Sequence, residues 1–409
     1  MKKITIGEAK IVSQNPDAAI LFEGWQDPFI RQRDGVLYVT FNSRRDCNET
    51  AGLAEQNPLY RSTDKGETWE KVSDYEEFLK SGLKLSNGDY ISVLENGTLI
   101  RNPENLPEYP ENRKTCKIYE MEYRSYRVDE LIPYLGDKID KKINFARYNA
   151  KTGELVRERA TVNWDDMPLK YYINEDYITP LHIESSIVEH NGVLWATSFA
   201  PYILPDGTMG SNWYCSHLLK STDLGHTWDY VNTIAYKDEY NNPNCIDIEG
   251  FNETAIMFAE NGDMVLVIRS GSLSPWTVGD DDHPAPKIFI TRSKDEGKTF
   301  DEPKPFYDFG ILPQAVQLDS GVTILSSGRP GVYLRYSEDG NLEEWTDPEF
   351  IIKVPKEDVY KAYYEYTCCN TDLCIYDENT AFLVYSDFQL KDKDGRRAKS
   401  IVVRKITVE

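Results

Sequence analysis

A short pattern, S-x-D-x-G-x-T-[WF], recurs along the chain. It stands at Ser62–Trp69, Ser221–Trp228 and Ser293–Phe300, with a degraded copy at Ser337, Asp339, Gly340 and Trp345. Each residue type has a reason. Asp hydrogen-bonds the backbone of its own turn, and Gly supplies a positive φ. Thr bonds back across the turn, and the aromatic ring plugs the space between neighbouring strands. The pattern is a hairpin tip. Three good copies with identical internal spacing point to a repeat architecture.

A second repeat is independent of the first. Turn dipeptides open β-rich apolar runs at Asp34-Gly35, Asn87-Gly88, Asn191-Gly192, Asn261-Gly262, Ser320-Gly321 and Glu378-Asn379. Gly or Asn tolerates positive φ and a strand follows, which is a hairpin signal. The good boxes begin 27, 29 and 31 residues after their hairpins. One unit is therefore two inner strands followed by an outer hairpin capped by the box. Six such units predict an all-β, six-bladed β-propeller over residues 1–409, as one domain. The long gap between positions 88 and 192 predicts an insertion or a degenerate blade within 102–180. Residues 74–81 could form a short surface helix. The last strand, from Ser400, is expected to pair with material near Ile4–Ile11 and close the ring.

Composition narrows the function classes. The 409 residues are 40% hydrophobic and 12% aromatic, ample for a sizeable core. The formal charge of −22 argues against a nucleic-acid partner. No signal-peptide run and no membrane-length apolar stretch is visible, so a soluble, cytoplasmic chain is expected. Seven cysteines without a CxxC read as reduced thiols. The five histidines lack HxxxH or HExxH spacing, so zinc is not supported, and no cofactor is expected. The Asp-rich stretch Gly279–His283 reads as an acidic solvated loop in preference to a calcium site. Nucleotide and serine-hydrolase motifs are missing.

Repeat phasing predicts which residues reach the propeller axis. Counting back from each hairpin gives Gln26 or Asp27, Lys80 or Leu79, Glu184 and Glu253. Counting forward gives Arg44, Arg269, Arg329 and Asp387. Arginines and carboxylates would converge on one mouth, where the planar guanidinium suits bidentate carboxylate binding. Scattered surface charge is the plainer reading of any one of them.

Boxes, six blades and this ring together resemble the sialidase superfamily, across essentially the whole chain. Glu253, the Asn261-Gly262 turn and Arg269 match the family's spacing of a Glu before such a turn and an Arg after it. The segment Ser327-Gly-Arg329-Pro-Gly resembles the one carrying the last arginine of the family's triad. The resemblance implies a retaining exo-glycosidase with a Tyr nucleophile, Tyr366 in Tyr366-Thr367, with Tyr364 as the alternative, and Glu253 as its base. Asp46 or Glu49 would be the acid. Arg269, Arg329 and Arg44 would bind substrate, with Gln26, Asp27 and Glu184 around them. Glu184 could equally be an acid or a structural partner of an axial arginine, and Tyr366 a core residue. The sequence departs from the family at its first arginine, where Gln26 or Asp27 stands, while Arg31 and Arg33 should point elsewhere. An acidic residue there repels sialic acid, so another terminal sugar of a glycan or oligosaccharide fits better than a sialoside. The alternative is a non-catalytic carbohydrate-binding or protein-interaction propeller.

Overall fold

The computed structural model describes residues 2–17, 24–43, 57–94, 99–118, 121–181, 183, 187–240, 249–270, 288–307, 310–355, 357–358 and 365–409. Within them the chain is a β-propeller of four-stranded antiparallel units. Blade 1 is Gln26–Arg33, Val36–Asn42, Leu59–Ser62 and Glu70–Val72. Blade 2 is Leu83–Lys84, Tyr90–Val93, Lys142–Asn149 and Glu154–Asn163. Blade 3 is Ile187–His190, Val193–Ile203, Met209–Ser221 and Thr227–Ile234; a short parallel pairing of 161–163 with 227–229 joins it to blade 2. Blade 4 is Thr254–Phe258, Met264–Arg269, Ile288–Ser293 and Lys304–Tyr307. Blade 5 is Gln314–Gln317, Thr323–Gly328, Val332–Ser337 and Glu349–Ile352. Blade 6 is Thr371–Asp377, Thr380–Asp387 and Lys399–Val408, completed by the N-terminal strands Ile4–Ile6 and Lys10–Asn15. The expected pairing of the two chain ends is thus present. It also explains why blade 6 carries no box, since its outer strands are not joined by a hairpin.

Every turn dipeptide lies between the first and second strands of a blade. The second strands are largely apolar because neighbouring blades cover both of their faces. In Met264–Arg269, Met264, Leu266 and Ile268 pack against Trp195 and Leu218 of blade 3. Val265 and Val267 alternate with them and pack against Leu325 of blade 5. Each such side chain contributes roughly 1.5–3 kcal/mol by leaving water. Polar bonds stitch adjacent inner strands. Asp372 accepts from the Ile30 N–H at 2.9 Å, Glu189 from the Ser86 N–H at 2.7 Å, and Gln317 pairs with both backbone groups of Phe258.

The boxes form as their residues require. Asp64 accepts from the Thr68 N–H at 2.9 Å and its hydroxyl at 2.6 Å, while Ser62 accepts from the Gly66 N–H at 2.8 Å. Asp223 with Thr227, and Asp295 with Thr299, repeat the arrangement. The degraded copy uses Asp339 to hold the N–H groups of Leu342, Glu343 and Glu344 instead. Each good box joins the third and fourth strands, so antiparallel alternation puts it on the same side as the first hairpins.

Residues 102–180 hold two things. One is the outer half of blade 2. The other is most of an extra sheet in the order Cys116–Ile118, Met121–Arg127, Pro168–Tyr172, Tyr177–Ile178 and Ile100–Arg101, the last strand lying just before that stretch. The helix Val128–Leu135 follows its second strand. Arg113 anchors the extra sheet, donating to Glu130 at 2.7 Å and to the Gly207 carbonyl in blade 3 at 2.7 Å. The short helix expected near 74–81 is Glu76–Leu79. It overturns the axial expectation for Leu79 and Lys80. Leu79 is buried at the helix end, and Lys80 bridges Glu77 at 2.9 Å. The inner strand of blade 2 is only two residues long, so counting back a full strand overshoots into the helix.

Candidate active site at the mouth of the propeller

Antiparallel alternation fixes one mouth. The segment entering each first strand and the segment leaving each second strand share it, opposite the hairpins. Glu253 precedes Thr254–Phe258 and Arg269 ends Met264–Arg269. Their backbones continue the strand pairing, the Arg269 N–H donating to the Glu253 carbonyl at 2.9 Å. Arg269 Nη1 donates to Glu253 Oε1 at 2.7 Å, and Leu312 N–H, entering blade 5, donates to Glu253 Oε2 at 2.7 Å.

A second carboxylate lies behind this pair. Glu249 Oε2 is 3.4 Å from Arg269 Nη2 and accepts from Asn252 Nδ2 at 2.6 Å. Its side chain is 4% exposed, against 22% for Glu253. Burial pushes Glu249 up to about 7, with Arg269 opposing, Glu253 reinforcing and Arg329 opposing the rise. Arg329 therefore acts on the same cluster from blade 5. It follows Gly328, with φ at 58°, and its charge also pulls down on the buried Cys369 thiol. Gly250 lets the 249–251 segment lie against blade 3. Its φ is 94°, and a Cβ there would meet the Tyr214 carbonyl at 2.4 Å. Sequence reasoning passed over Glu249. Its one signal was its position four residues before Glu253.

Tyr366 is also at this mouth, in the segment entering blade 6, but its partner differs from the expected one. Its hydroxyl donates to Asp358 Oδ2 at 2.6 Å, whereas the hydrogen bonds of Glu253 run to Arg269 and Leu312. The expected Tyr366–Glu253 hydrogen bond is not formed. Accepting that bond, Asp358 raises the Tyr366 phenol above its ordinary value. Asp358 carried no repeat phase and was missed.

Gln26 and Asp27 take up a bulge at the start of blade 1, where pairing shifts between Gln26 and Phe29. Gln26 is buried, and Asp27, at φ 49°, bonds the Asn370 amide of blade 6. Arg31 and Arg33 do point elsewhere. Arg31 donates to the Phe78 carbonyl at 3.1 Å and Ser92 Oγ at 2.8 Å, and Arg33 bridges Glu77 at 2.6 Å. Asp387 accepts from the Gln389 N–H at 2.8 Å, and burial raises its pKa. Arg44, Asp46, Glu49, Glu184 and Tyr364 lie outside the described residues.

The extra sheet adds a wall that the repeat could not predict. Lys170, 7% exposed, points its ammonium at three ring faces, with centroids at 4.6 Å (Tyr214), 4.9 Å (Phe199) and 5.9 Å (Tyr172). Tyr214 is continuous with the carboxylate cluster, since its N–H donates to the Glu249 carbonyl at 2.8 Å. Among the described residues no group of three or more His, Cys, Asp or Glu is arranged to hold a metal ion.

No protein-family model matches the chain, and no curated protein matches it. Solved structures do. A protein of unknown function from Dyadobacter fermentans aligns over 99% of both chains at 16% identity, with a TM-score of 0.60. An α-L-arabinanase from Penicillium chrysogenum, solved with arabinobiose, aligns over 98% of both chains at 13% identity and a TM-score of 0.47. A Trypanosoma rangeli sialidase, solved with sialic acid, aligns over 96% of this chain and 54% of its own at 12% identity and 0.41. The first supports the fold alone, and the two looser alignments carry no argument about activity.

Proposed function

We propose that this chain is a glycoside hydrolase that removes a terminal sugar from a glycan or oligosaccharide. The observation that carries the reading is the pair of carboxyl groups on one guanidinium, Glu253 and Glu249 on Arg269. Glycoside cleavage needs a carboxylate beside an oxocarbenium-like centre and a proton for the leaving oxygen. Glu253 is the more exposed of the two and is the group that meets the sugar. Glu249, beneath it and titrating near 7, is a positioning residue that sets the charge balance on Arg269. Tyr366 is the nucleophile in this reading, with Asp358 in place of Glu253 as the base that takes its proton. Asp46 or Glu49 remains the proposed acid. Gln26 and Asp27, where the resemblance expects an arginine, favour a sugar other than a sialoside.

A panel of aryl glycosides, a sialoside included, tests this with wild type, Glu253→Gln and Tyr366→Phe. The reading expects cleavage of one non-sialoside and loss in both variants. A full rate in Glu253→Gln would sink the assignment of that carboxylate, and a full rate in Tyr366→Phe would remove the nucleophile. Glycan binding without cleavage of any glycoside would favour the non-catalytic propeller.

A further inference from the structure

Asn252 stands between the two carboxylates on Arg269, buried, and every polar group it carries is engaged. Its N–H donates to the Arg269 carbonyl at 3.1 Å, and its carbonyl accepts from Thr254 Oγ1 at 2.9 Å. Its side chain joins the two glutamates. Asn252 Nδ2 donates to Glu249 Oε2 at 2.6 Å, and Oδ1 accepts from the Glu253 N–H at 2.9 Å. These partners fix which way the amide points, because a backbone N–H only donates and an ionised carboxylate only accepts. Flipped, the amide would set donor against donor and oxygen against oxygen.

Two carboxylates on one guanidinium repel each other, and burial opposes the charge of the inner one. The charged and titratable groups around Glu249 are Arg269 beside it, Glu253 on its own segment, Arg329 from blade 5 and the Tyr214 phenol from blade 3. Both arginines and the Asn252 amide favour the ionised form of Glu249, while burial and Glu253 oppose it. Burial holds the Tyr214 phenol well above its ordinary value, so it brings no charge. Arg269 is shared with Glu253 and stands 3.4 Å from Glu249, whereas the Asn252 donor is closer, at 2.6 Å. A hydrogen bond to an ionised group is about twice as strong as one between neutral groups.

We infer that Asn252 is a positioning residue, whose one amide locks Glu249 to the backbone of Glu253 and so keeps the inner carboxylate ionised behind Arg269. With Glu249 ionised, the charge of Arg269 is divided between two carboxylates. Glu253 then keeps more of its own negative charge for an oxocarbenium-like centre. When Glu249 takes a proton, Arg269 neutralises Glu253 by itself. The catalytic consequence rests on the proposed action of Glu253 on a sugar, whereas the effect of Asn252 on Glu249 does not.

Carbon-13 NMR of the full chain, labelled in its glutamate carboxyl groups, follows the ionisation of Glu249 without any substrate, and Glu249→Gln identifies its signal. In wild type that signal is expected to titrate at about 7. Asn252→Asp keeps the acceptor for the Glu253 N–H and replaces the donor to Glu249 by an oxygen, while Asn252→Ala removes both. Each should move the Glu249 midpoint up by about one to two pH units, the worth of a lost hydrogen bond to a charged group. On a glycoside that wild type cleaves, the acid limb of kcat/KM should move up with it, with melting curves as the control for folding. A midpoint unmoved or lowered in either folded variant overturns the inference, as does a wild-type Glu249 that titrates like a surface glutamate. A limb that stays in place while the midpoint moves overturns the positioning role and leaves Asn252 a structural partner of Glu249. If Glu253→Gln cleaves at the full rate, the catalytic reading fails by itself, and the NMR midpoints still decide what Asn252 does to Glu249.

Discussion

Glu253 and Arg269 face each other twice, once through their backbones at 2.9 Å and once through their side chains at 2.7 Å. The second contact follows from the first. Thr254 pairs with Ile268 in the blade 4 register, so the next residues out are cross-strand neighbours at the mouth. Such neighbours have side chains close enough to interact directly.

Removing the guanidinium tests that relationship. Arg269→Ala leaves Glu249 and Glu253 together without their shared cation. We expect a loss of about 3 kcal/mol or more, because truncating one partner strands buried charge. Urea unfolding monitored by tryptophan fluorescence measures it. A loss below about 1 kcal/mol would mean that the cluster relaxes into solvent.

For the reaction, Glu253→Gln keeps the shape of the side chain and removes its charge. On whichever glycoside the wild type cleaves, kcat is expected to fall by roughly 10²-fold or more, because the charge facing the oxocarbenium-like centre is lost. Steady-state kinetics with a melting control separate this from unfolding.

Two buried carboxyls give the protein a pH signature. Burial pushes Asp372 up to about 7, although the N–H groups of Ile30 and Leu373 donate to it. In the unfolded chain an Asp titrates near about 4. Between those values the native state holds a proton that the unfolded chain has released. The stabilisation is therefore complete below the unfolded value and is lost as pH rises through about 7. Glu249 behaves in the same sense. Asp372→Asn should flatten the fall in melting temperature between pH 5 and 8, as calorimetry would show. An unchanged slope would place the titration elsewhere.

Two glycines of blade 4 separate packing from backbone strain. Both have positive φ, 80° at Gly297 in the box and 89° at Gly262 in the inner hairpin. A Cβ at Gly297 would lie 2.3 Å from Leu218 Cδ2 in blade 3, whereas nothing lies within 4 Å at Gly262. Gly262→Ala should cost about 1 kcal/mol from the left-handed backbone alone. Gly297→Ala should cost roughly 1–3 kcal/mol more by forcing the blades apart. Equal losses in chemical denaturation would show that the box does not set blade spacing.

The aromatic ends of the boxes are not equivalent. Trp228 is fully buried and stacks on Phe145 of blade 2, with ring centroids 5.8 Å apart, whereas Trp69 is only partly buried. Trp228→Ala is expected to cost about 3–5 kcal/mol, and Trp69→Ala clearly less. Thermal denaturation of the two variants side by side checks the order.

The repeat itself was legible because its determinants are local. A turn dipeptide needs positive φ, a box satisfies its own Asp, and a strand covered on both faces reads as an unbroken apolar run. Those rules located all six inner hairpins, and through them Glu253 opposite Arg269. They also implied the meeting of Lys399–Val408 with the N-terminal strands. What depended on non-local packing did not show. Counting failed in blade 2, where a helical turn shortens the inner strand. Tyr366 is bonded to Asp358, because the segments entering blades settle by side-chain contacts that no repeat encodes. Glu249 became a titrating group only through burial behind Arg269, and Lys170 acquired its three ring faces only when the extra sheet settled on blade 3. Periodicity and turn chemistry act over a few neighbouring residues and can be read from order alone. Desolvation and the matching of charges act between segments that no repeat links, and only the folded chain brings those together.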